Sequence, residues 1–305
     1  MIQLNQLLTL QIVKTNDSIM SMALRTKILV IISISITILI GCNKLSNEGK
    51  ERFREAIVRN EIKYIRYILS KDLDLNDEKL FGYLPLHIAV EADNIEIIKL
   101  FLDHGADINA VDGMKQNCLF KTYNIETAKY LIEHGANVNQ IDEYGAIPLF
   151  NVTWYYDLAK LYIESGSDIH HKDENGCPIL FRTIMNNNYK LLKYLIVEKS
   201  IDVNDTCQND INSLIWFFII RRKEKNVNIV KLLIEHKINI NHQDKYKNTA
   251  LHYAVKYDSK KELIKLLLDN GAKVDIKNIQ GKTPIDIAIE KGRKDIVDLL
   301  KKYAK

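Results

Sequence analysis

Apolar residues repeat the same pattern along the chain from about Phe81 to the C-terminus. One stretch in each copy has the 3.6-residue period of a helix with a single buried face. The clearest example comprises Ile95, Ile97, Ile98, Leu100, Phe101 and Leu102. A shorter stretch precedes it, opened by a capping Thr or a first-turn Pro, and predicts another helix. The predicted unit is a pair of helices followed by a turn, repeated about every 33 residues.

The turn positions define the boundaries of the copies. They are occupied by Gly105, Gly135, Gly166, Ser200, Lys237 and Gly271, at spacings of 30, 31, 34, 37 and 34 residues. Glycine suits the left-handed backbone that ends a helix, so Ser200 and Lys237 make the fourth and fifth copies the least regular. The copies run over about 79–111, 112–141, 142–172, 173–204, 205–243, 244–277 and 278–305, after a degenerate copy at about 49–78.

Short motifs recur in register within these copies. Leu84–Ala89 reads LPLHIA, Thr249–Ala254 reads TALHYA and Thr283–Ala288 reads TPIDIA, and the first two are followed by a Gly-Ala-x-x-Asn/Asp turn. These motifs resemble the ankyrin repeat, whose signature is T-P-L-H-x-A. The resemblance implies an all-α fold with short β-hairpin or turn loops. We therefore expect an ankyrin-repeat solenoid of about seven to eight repeats over residues 51–305.

The middle repeats depart from the family pattern. Phe120, Phe150 and Phe181 stand where the motif has histidine, and the second and third repeats are two to three residues short between their helices. In the family this histidine supports hydrogen bonds between neighbouring hairpins. Since phenylalanine cannot, we expect packing to hold those hairpins.

The N-terminal segment has the pattern of an export signal. Ile28–Ile40 contains only Ile, Leu, Val, Ser and Thr, follows Arg25 and Lys27, and is too short for a membrane span of about 20 residues. It ends in Leu39-Ile40-Gly41-Cys42, which resembles the bacterial lipoprotein signal. The resemblance implies a signal peptide at 1–41, a lipidated Cys42 and a loose tether at 42–50. The alternatives are a simple signal anchor or an uncleaved segment.

Residues 1–21 fit poorly ahead of such a signal. Translation from Met20 or Met22 gives a conventional signal, which favours a mis-assigned start over a genuine extension. The expected location is the bacterial cell envelope, with the chain lipid-anchored at the periplasmic face of the inner or outer membrane or at the cell surface.

The charge balance gives no reason to expect nucleic acid as a partner. Residues 1–41 carry Lys14, Arg25, Lys27 and Asp17, so removing them lowers the net charge from +4 to +2. The densest basic run, 221–225, is interpreted as a solvated loop, with contact to an acidic lipid or partner as the alternative.

Cysteine and histidine offer little chemistry. Cys118 is expected to be buried. A disulfide between Cys177 and Cys207, in adjacent hairpins, is geometrically possible, but thiols are the expected state. Histidines recur one residue before the turn position, at His104, His134 and His236, which follows from the repeat period, with a metal ladder as the alternative. His87 and His252 belong to the repeat motif and are expected to be structural.

No catalytic motif is present. The chain lacks a glycine-rich phosphate loop, H-E-x-x-H and a serine nucleophile elbow, and the repeats fill the space that a catalytic domain would need. We therefore predict that the protein is not an enzyme, with no catalytic residue, metal, cofactor or small-molecule substrate.

Protein binding is the function that the resemblance implies, at hairpin tips and inner helices. Predicted tip positions are Phe81, Tyr83, Tyr144 and Tyr246, and predicted inner-helix positions are Glu91, Trp154, Tyr155 and Tyr257. Aromatic residues at such places are common anchors of interfaces, although each could instead pack on its neighbouring repeat. The alternative function is an immunity or regulatory subunit that inhibits a cognate envelope or secreted enzyme or toxin.

Overall fold

A computed structural model describes residues 46–71, 73–220 and 226–304. Their contacts divide the chain into two compact units, one ending at Asp107 and one beginning at Ile108. The predicted signal peptide, Cys42 and the basic run 221–225 lie outside the described residues.

The first unit contains two helix pairs and a short linking helix. Its elements are α1 (Asn47–Val58), α2 (Ile62–Leu69), α3 (Glu78–Phe81), α4 (Pro85–Glu91) and α5 (Ile95–Asp103). The Ser46 side chain caps α1 by accepting the Gly49 N–H at 3.1 Å. Because α1 begins at Asn47, residues 47–50 of the predicted tether are helical and not loose.

The second unit continues the same helix pairs. Its elements are a 3-10 helix (Cys118–Lys121), α6 (Ile125–Glu133), α7 (Pro148–Asn151), α8 (Tyr156–Glu164), α9 (Ile179–Met185), α10 (Tyr189–Lys193), β1 (Thr206–Cys207), β2 (Ile211–Asn212), α11 (Ser213–Ile219), α12 (Val227–Glu235), α13 (Ala250–Lys256), α14 (Lys261–Asp269), α15 (Pro284–Glu290) and α16 (Lys294–Lys302). Counting α1–α2 and α4–α5, the described residues form eight helix pairs, which confirms the predicted all-α repeat fold.

The expected irregular repeats differ in their inner helices, meaning the first helix of each pair. The 3-10 helix Cys118–Lys121 and α7 have four residues each, against seven in α9. These are the repeats predicted to be short between their helices. In these two repeats the inner helix is therefore shortened, while the second helices of the pairs, α6 and α8, keep nine residues.

A single extra residue in the fourth repeat is absorbed as a π-helical turn. After α10 the chain continues through five π-helical residues, Tyr194–Glu198, and then reaches Ser200. The turns at Ser200 and Lys237 form without glycine, at φ values of 56° and 62°. They have the same left-handed backbone as Gly105 at 85°, so the repeat boundaries lie where the spacing predicted them.

An asparagine ladder connects neighbouring repeats. In each case a side-chain amide donates to the carbonyl of the next turn residue, and its oxygen accepts a backbone N–H two residues beyond that turn. The donors and their carbonyl acceptors are Asn76 with Gly105, Asn109 with Gly135, Asn139 with Gly166, Asn204 with Lys237 and Asn241 with Gly271. The accepted N–H groups belong to Asp107, Asn137, Asp168, Asn239 and Lys273.

The ladder position that would pair with the turn at Ser200 is His170, in the third repeat, which cannot reproduce this amide pattern. Here the structure has a disulfide between Cys177 and Cys207, whose Cα atoms lie 4.3 Å apart. An ion pair between Lys172 and Asp205, 2.8 Å apart, lies beside it. The expectation of two thiols was therefore wrong: the two hairpins approach closely enough for a covalent link.

Among the helices of the described ranges, none combines the length and apolar character needed to cross a membrane.

Candidate partner-binding groove

One recurrent side chain shapes five hairpins of the second unit. The Oδ1 atom of Asp142 accepts the N–H groups of Tyr144 and Ala146, at 2.9 and 2.8 Å. The same pair of bonds recurs in four other hairpins, from Asp112, Asp173, Asp244 and Asn278. These bonds hold the tip residues in one conformation.

Backbone hydrogen bonds then join each tip to the next. The donor N–H groups and acceptor carbonyls are Glu143 to Met114, Glu174 to Tyr144, Gln208 to Asn175, Lys245 to Asn209 and Ile279 to Tyr246. The contact is close at Gly145, where an added Cβ would lie 2.7 Å from the Glu174 nitrogen. The tip side chains thus stand on a continuous backbone ladder.

A groove of about 600 Å³ lies across the last three repeats. The hairpins and the inner helices α11, α13 and α15 contribute its lining residues, which are Ile211, Ile219, Tyr246, Asn248, Tyr253, Lys256, Tyr257, Asn278, Ile279, Gln280, Lys282, Ile287, Glu290 and Lys291. A groove of this size accommodates several side chains of a ligand.

The floor of the groove is tied to its hairpin by a buried tyrosine. The Tyr253 hydroxyl donates to Asp244 Oδ2 at 2.5 Å, and both residues are buried. Burial, together with the adjacent carboxylate, raises the pKa of Tyr253. The phenol therefore stays protonated and remains a hydrogen-bond donor at neutral pH.

His252 connects two hairpins, as the family pattern implied. Its Nδ1 accepts the Thr249 N–H at 3.1 Å, and its Nε2–H donates to the Lys282 carbonyl of the next repeat at 3.2 Å. Burial lowers the pKa of His252, which favours this neutral tautomer. Asp286 takes the same place in the last repeat and accepts from Thr283.

The charge of the groove lining is predominantly positive. The Lys256 ammonium lies over the Tyr257 and Tyr253 rings, 5.5 and 5.9 Å from their centroids. Lys282 pairs with Glu290 at 2.7 Å, and Lys291 lies 3.5 Å from Asp258 outside the lining.

Two of the predicted partner-binding residues line this groove. Tyr246 is 46% exposed at its hairpin tip, and Tyr257 is half-buried at the end of α13. Tyr144, 50% exposed, occupies an earlier tip of the same unit. Glu91 is exposed at the end of α4 in the first unit.

The predicted tip position of Phe81 was wrong. Its side chain is 1% exposed, with its ring 5.5 Å from that of Phe53, because α3 turns it into the core. Tyr83 is half-buried, and its hydroxyl donates to the Lys50 carbonyl at 2.8 Å. Burial raises the pKa of Tyr83, so its hydroxyl stays protonated and remains the donor in this bond.

Trp154 and Tyr155 were also misplaced as inner-helix residues. The inner helix α7 ends at Asn151, and both residues lie in the following turn. They are 57% and 50% exposed, and the Tyr155 ring lies 5.7 Å from that of Tyr123 in the preceding repeat. The shortened inner helix explains the shift, and these aromatic side chains do not line the groove.

The recurrent histidines have a structural role. In His104, His134 and His236 the ring Nδ1 contacts the carbonyl four residues earlier, at 2.7–2.9 Å, at the end of an outer helix. Asn270 bonds to Leu266 in the same way. Within the described ranges no group of His, Cys, Asp or Glu side chains is arranged to hold a metal ion.

Packing replaces the motif histidine in the middle repeats, as expected. Phe120, Phe150 and Phe181 are all buried. Phe150 meets the ring of His171 edge-on at 5.9 Å, and the Trp216 indole N–H donates to the Phe181 carbonyl at 3.1 Å. Cys118 is buried as predicted, with its thiol donating to the Ile108 carbonyl.

Several groove residues were not singled out from the sequence. Ile279 is 66% exposed at a tip, and Lys282 and Lys291 border it from the last repeat. The recurrence of aspartate or asparagine at the start of these hairpins was the available signal, because Asn278 marks the tip that carries Ile279.

Comparison with known proteins identifies the repeat. The family profile described as Ankyrin repeats matches residues 31–112, 151–244 and 217–305, which together make up more than half of the chain.

Individual relatives match over short stretches. The chain is 44% identical to palmitoyltransferase ZDHHC17 of Danio rerio over 72 residues, and 48% identical to alpha-latrotoxin-Lt1a of Latrodectus tredecimguttatus over 64 residues. These matches cover 23% and 21% of this chain, but only 11% and 4% of those proteins. Among solved structures, the ankyrin repeat domain of Bcl-3 matches with a TM-score of 0.60 and 22% identity, over 72% of this chain and 99% of that one.

Proposed function

Because the chain belongs to the ankyrin-repeat family, we propose that it is a non-catalytic protein-binding module whose C-terminal groove receives the partner. The observation that carries this proposal is the 600 Å³ groove, lined by Tyr246 and Tyr257. Tyrosine combines a large apolar surface with a polar end, and it is enriched among residues that dominate binding energy. The hairpin ladder holds Tyr246 in place before binding, which reduces the entropy lost on association.

We further propose that the protein is exported and anchored to a bacterial envelope membrane through lipidated Cys42. The support is the order of basic pair, apolar run and Leu-Ile-Gly-Cys at residues 25–42. The disulfide between Cys177 and Cys207 agrees with export, since such bonds persist in oxidising compartments.

Site-specific photo-crosslinking tests the binding role. A photoreactive amino acid replaces Tyr246, cells carrying the variant are irradiated, and the membranes are extracted with detergent. We expect an adduct of one defined mass. The control places the same amino acid at Lys231, exposed on the outer helix α12, where that adduct should be missing. Equal adducts at both positions would contradict binding in the groove.

Metabolic labelling tests the anchor. A fatty-acid analogue should label the wild-type protein and leave Cys42→Ala unlabelled, with the variant unprocessed or released to the soluble fraction. Label that persists in Cys42→Ala would rule out lipidation at this residue.

A further inference from the structure

We infer that the occupant of the groove is a linear acidic segment of the partner protein, with apolar side chains between its carboxylates. This inference rests on the proposed function and adds the chemistry of the segment that binds. It comes from the charge and the apolar surface of the groove.

The charged side chains of the lining are three lysines and one glutamate. Lys282 and Glu290 pair with each other at 2.7 Å, which leaves Lys256 and Lys291 to set the sign of the groove. Within the described residues, the ion pairs of the structure include none for Lys256; its ammonium lies over two tyrosine rings. Lys291 contacts Asp258, which is 63% exposed and outside the groove. A carboxylate entering the groove would meet both ammonium groups.

The apolar part of the lining indicates what lies between those carboxylates. Ile279 is an apolar side chain that is 66% exposed at its hairpin tip. The half-buried Ile219 and the buried Ile287 also line the groove. Exposed apolar surface bordered by charged groups is typical of a docking surface. An occupant of carboxylates alone would leave this surface in water, so we expect leucine-like side chains as well.

Nucleic acid is a poorer fit to the same lysines. Binding to a phosphate backbone depends on many Lys and Arg contacts, and this groove has three lysines, of which Lys282 and Lys291 already contact carboxylates.

The test uses a short fluorescent peptide of alternating glutamate and leucine, titrated against the detergent-solubilised full-length protein and followed by anisotropy. A peptide of alternating lysine and leucine is the charge control, and a peptide of alternating glutamate and serine is the apolar control. We expect the glutamate–leucine peptide to bind at least about tenfold more tightly than either, with an affinity that falls as salt rises.

Charge reversal makes the test specific to the groove. The double variant Lys256→Glu, Lys291→Glu should bind the glutamate–leucine peptide about tenfold or more weakly than the wild type does, and it should bind the lysine–leucine peptide more tightly. Lys231→Glu, on the exposed face of α12, is the matched control and should change neither affinity. Circular dichroism and thermal unfolding establish that both variants are folded.

Each contrary result has a distinct meaning. Failure of the acidic peptide to bind, equal binding of the two charged peptides, or an equal effect of Lys231→Glu would overturn the inference. Displacement of the acidic peptide by a single-stranded oligonucleotide would also overturn it. If the crosslinked adduct at position 246 persists in these cases, the proposed function stands and only the acidic character of the partner is wrong.

Discussion

The hydroxyl of Tyr253 and the carboxylate of Asp244 form a 2.5 Å hydrogen bond between the inner helix α13 and the hairpin before it. The other oxygen of Asp244 accepts the N–H groups of Tyr246 and Asn248. One buried carboxylate therefore sets the conformation of the tip that carries Tyr246 and fixes that tip to the groove floor.

Tyr253→Phe should destabilise the protein by about 1 to 3 kcal/mol, because it leaves a buried carboxylate oxygen without its donor. Urea unfolding followed by circular dichroism measures the change. Tyr246→Phe, which removes an exposed hydroxyl, is the control and should fall within about 0.5 kcal/mol of wild type. Equal effects of the two substitutions would show that the bond to Asp244 does not stabilise the fold.

Gly145→Ala should disrupt the hairpin ladder. Gly145 has a φ of +71°, and the new Cβ would lie 2.7 Å from the Glu174 nitrogen. Gly135→Ala is a matched control, since Gly135 has a φ of +91° and no atom within 4 Å of its added Cβ. Strain of the left-handed backbone alone should cost about 1 to 2 kcal/mol at Gly135, and the clash should make the loss at Gly145 clearly larger. A smaller loss at Gly145 would contradict the close contact between hairpins.

Reducing the disulfide should weaken the contact between the two hairpins that carry Cys177 and Cys207. Cys177 and Cys207 are 30 residues apart in sequence, and loss of a native disulfide of this kind typically costs about 2 to 4 kcal/mol. We expect dithiothreitol to lower the urea midpoint of the wild type, and to leave the Cys177→Ser, Cys207→Ser double variant unchanged. If dithiothreitol did not change the urea midpoint of the wild type, the disulfide would be absent or would add no stability.

Stability should fall as the pH is lowered through about 6.5, in part because of His252. Its pKa is lowered in the folded state by burial, so below that pH the unfolded chain binds more protons than the folded one. The loss of stability due to His252 is absent at high pH, where its ring is neutral in both the folded and the unfolded chain, and it grows as the pH falls. The measurement compares urea midpoints at pH 7.5 and 5.5 for the wild type and His252→Asn. The variant should lose less stability across this range, and an identical loss would exclude His252 as a source.

Local patterns predicted the helix pairs and turns well. Helical periodicity and turn spacing depend on a few neighbouring residues, which is why even Ser200 and Lys237 were placed correctly as turns. The direction in which a side chain points depends also on where its helix ends and how that helix packs. Phe81 was misplaced because the short helix α3 rotates it inward, and Trp154 because α7 ends early.

The groove was only partly predictable. Tyr246 and Tyr257 follow from repeat position, whereas Lys256 and Lys291 come to face one space only when successive repeats stack. That juxtaposition of residues 35 positions apart is a tertiary property that no local pattern contains.

The asparagine ladder also explains why copies of unequal length coexist in one chain. Turn-to-turn spacing varies from 30 to 37 residues, yet the distance from each ladder amide to the next turn carbonyl varies only from 2.9 to 3.3 Å. The extra residue absorbed by Tyr194–Glu198 lies between the turns at Gly166 and Lys237, which both keep this bond. The interior of a copy can therefore change in length while the ladder contact at its boundary with the next copy is kept.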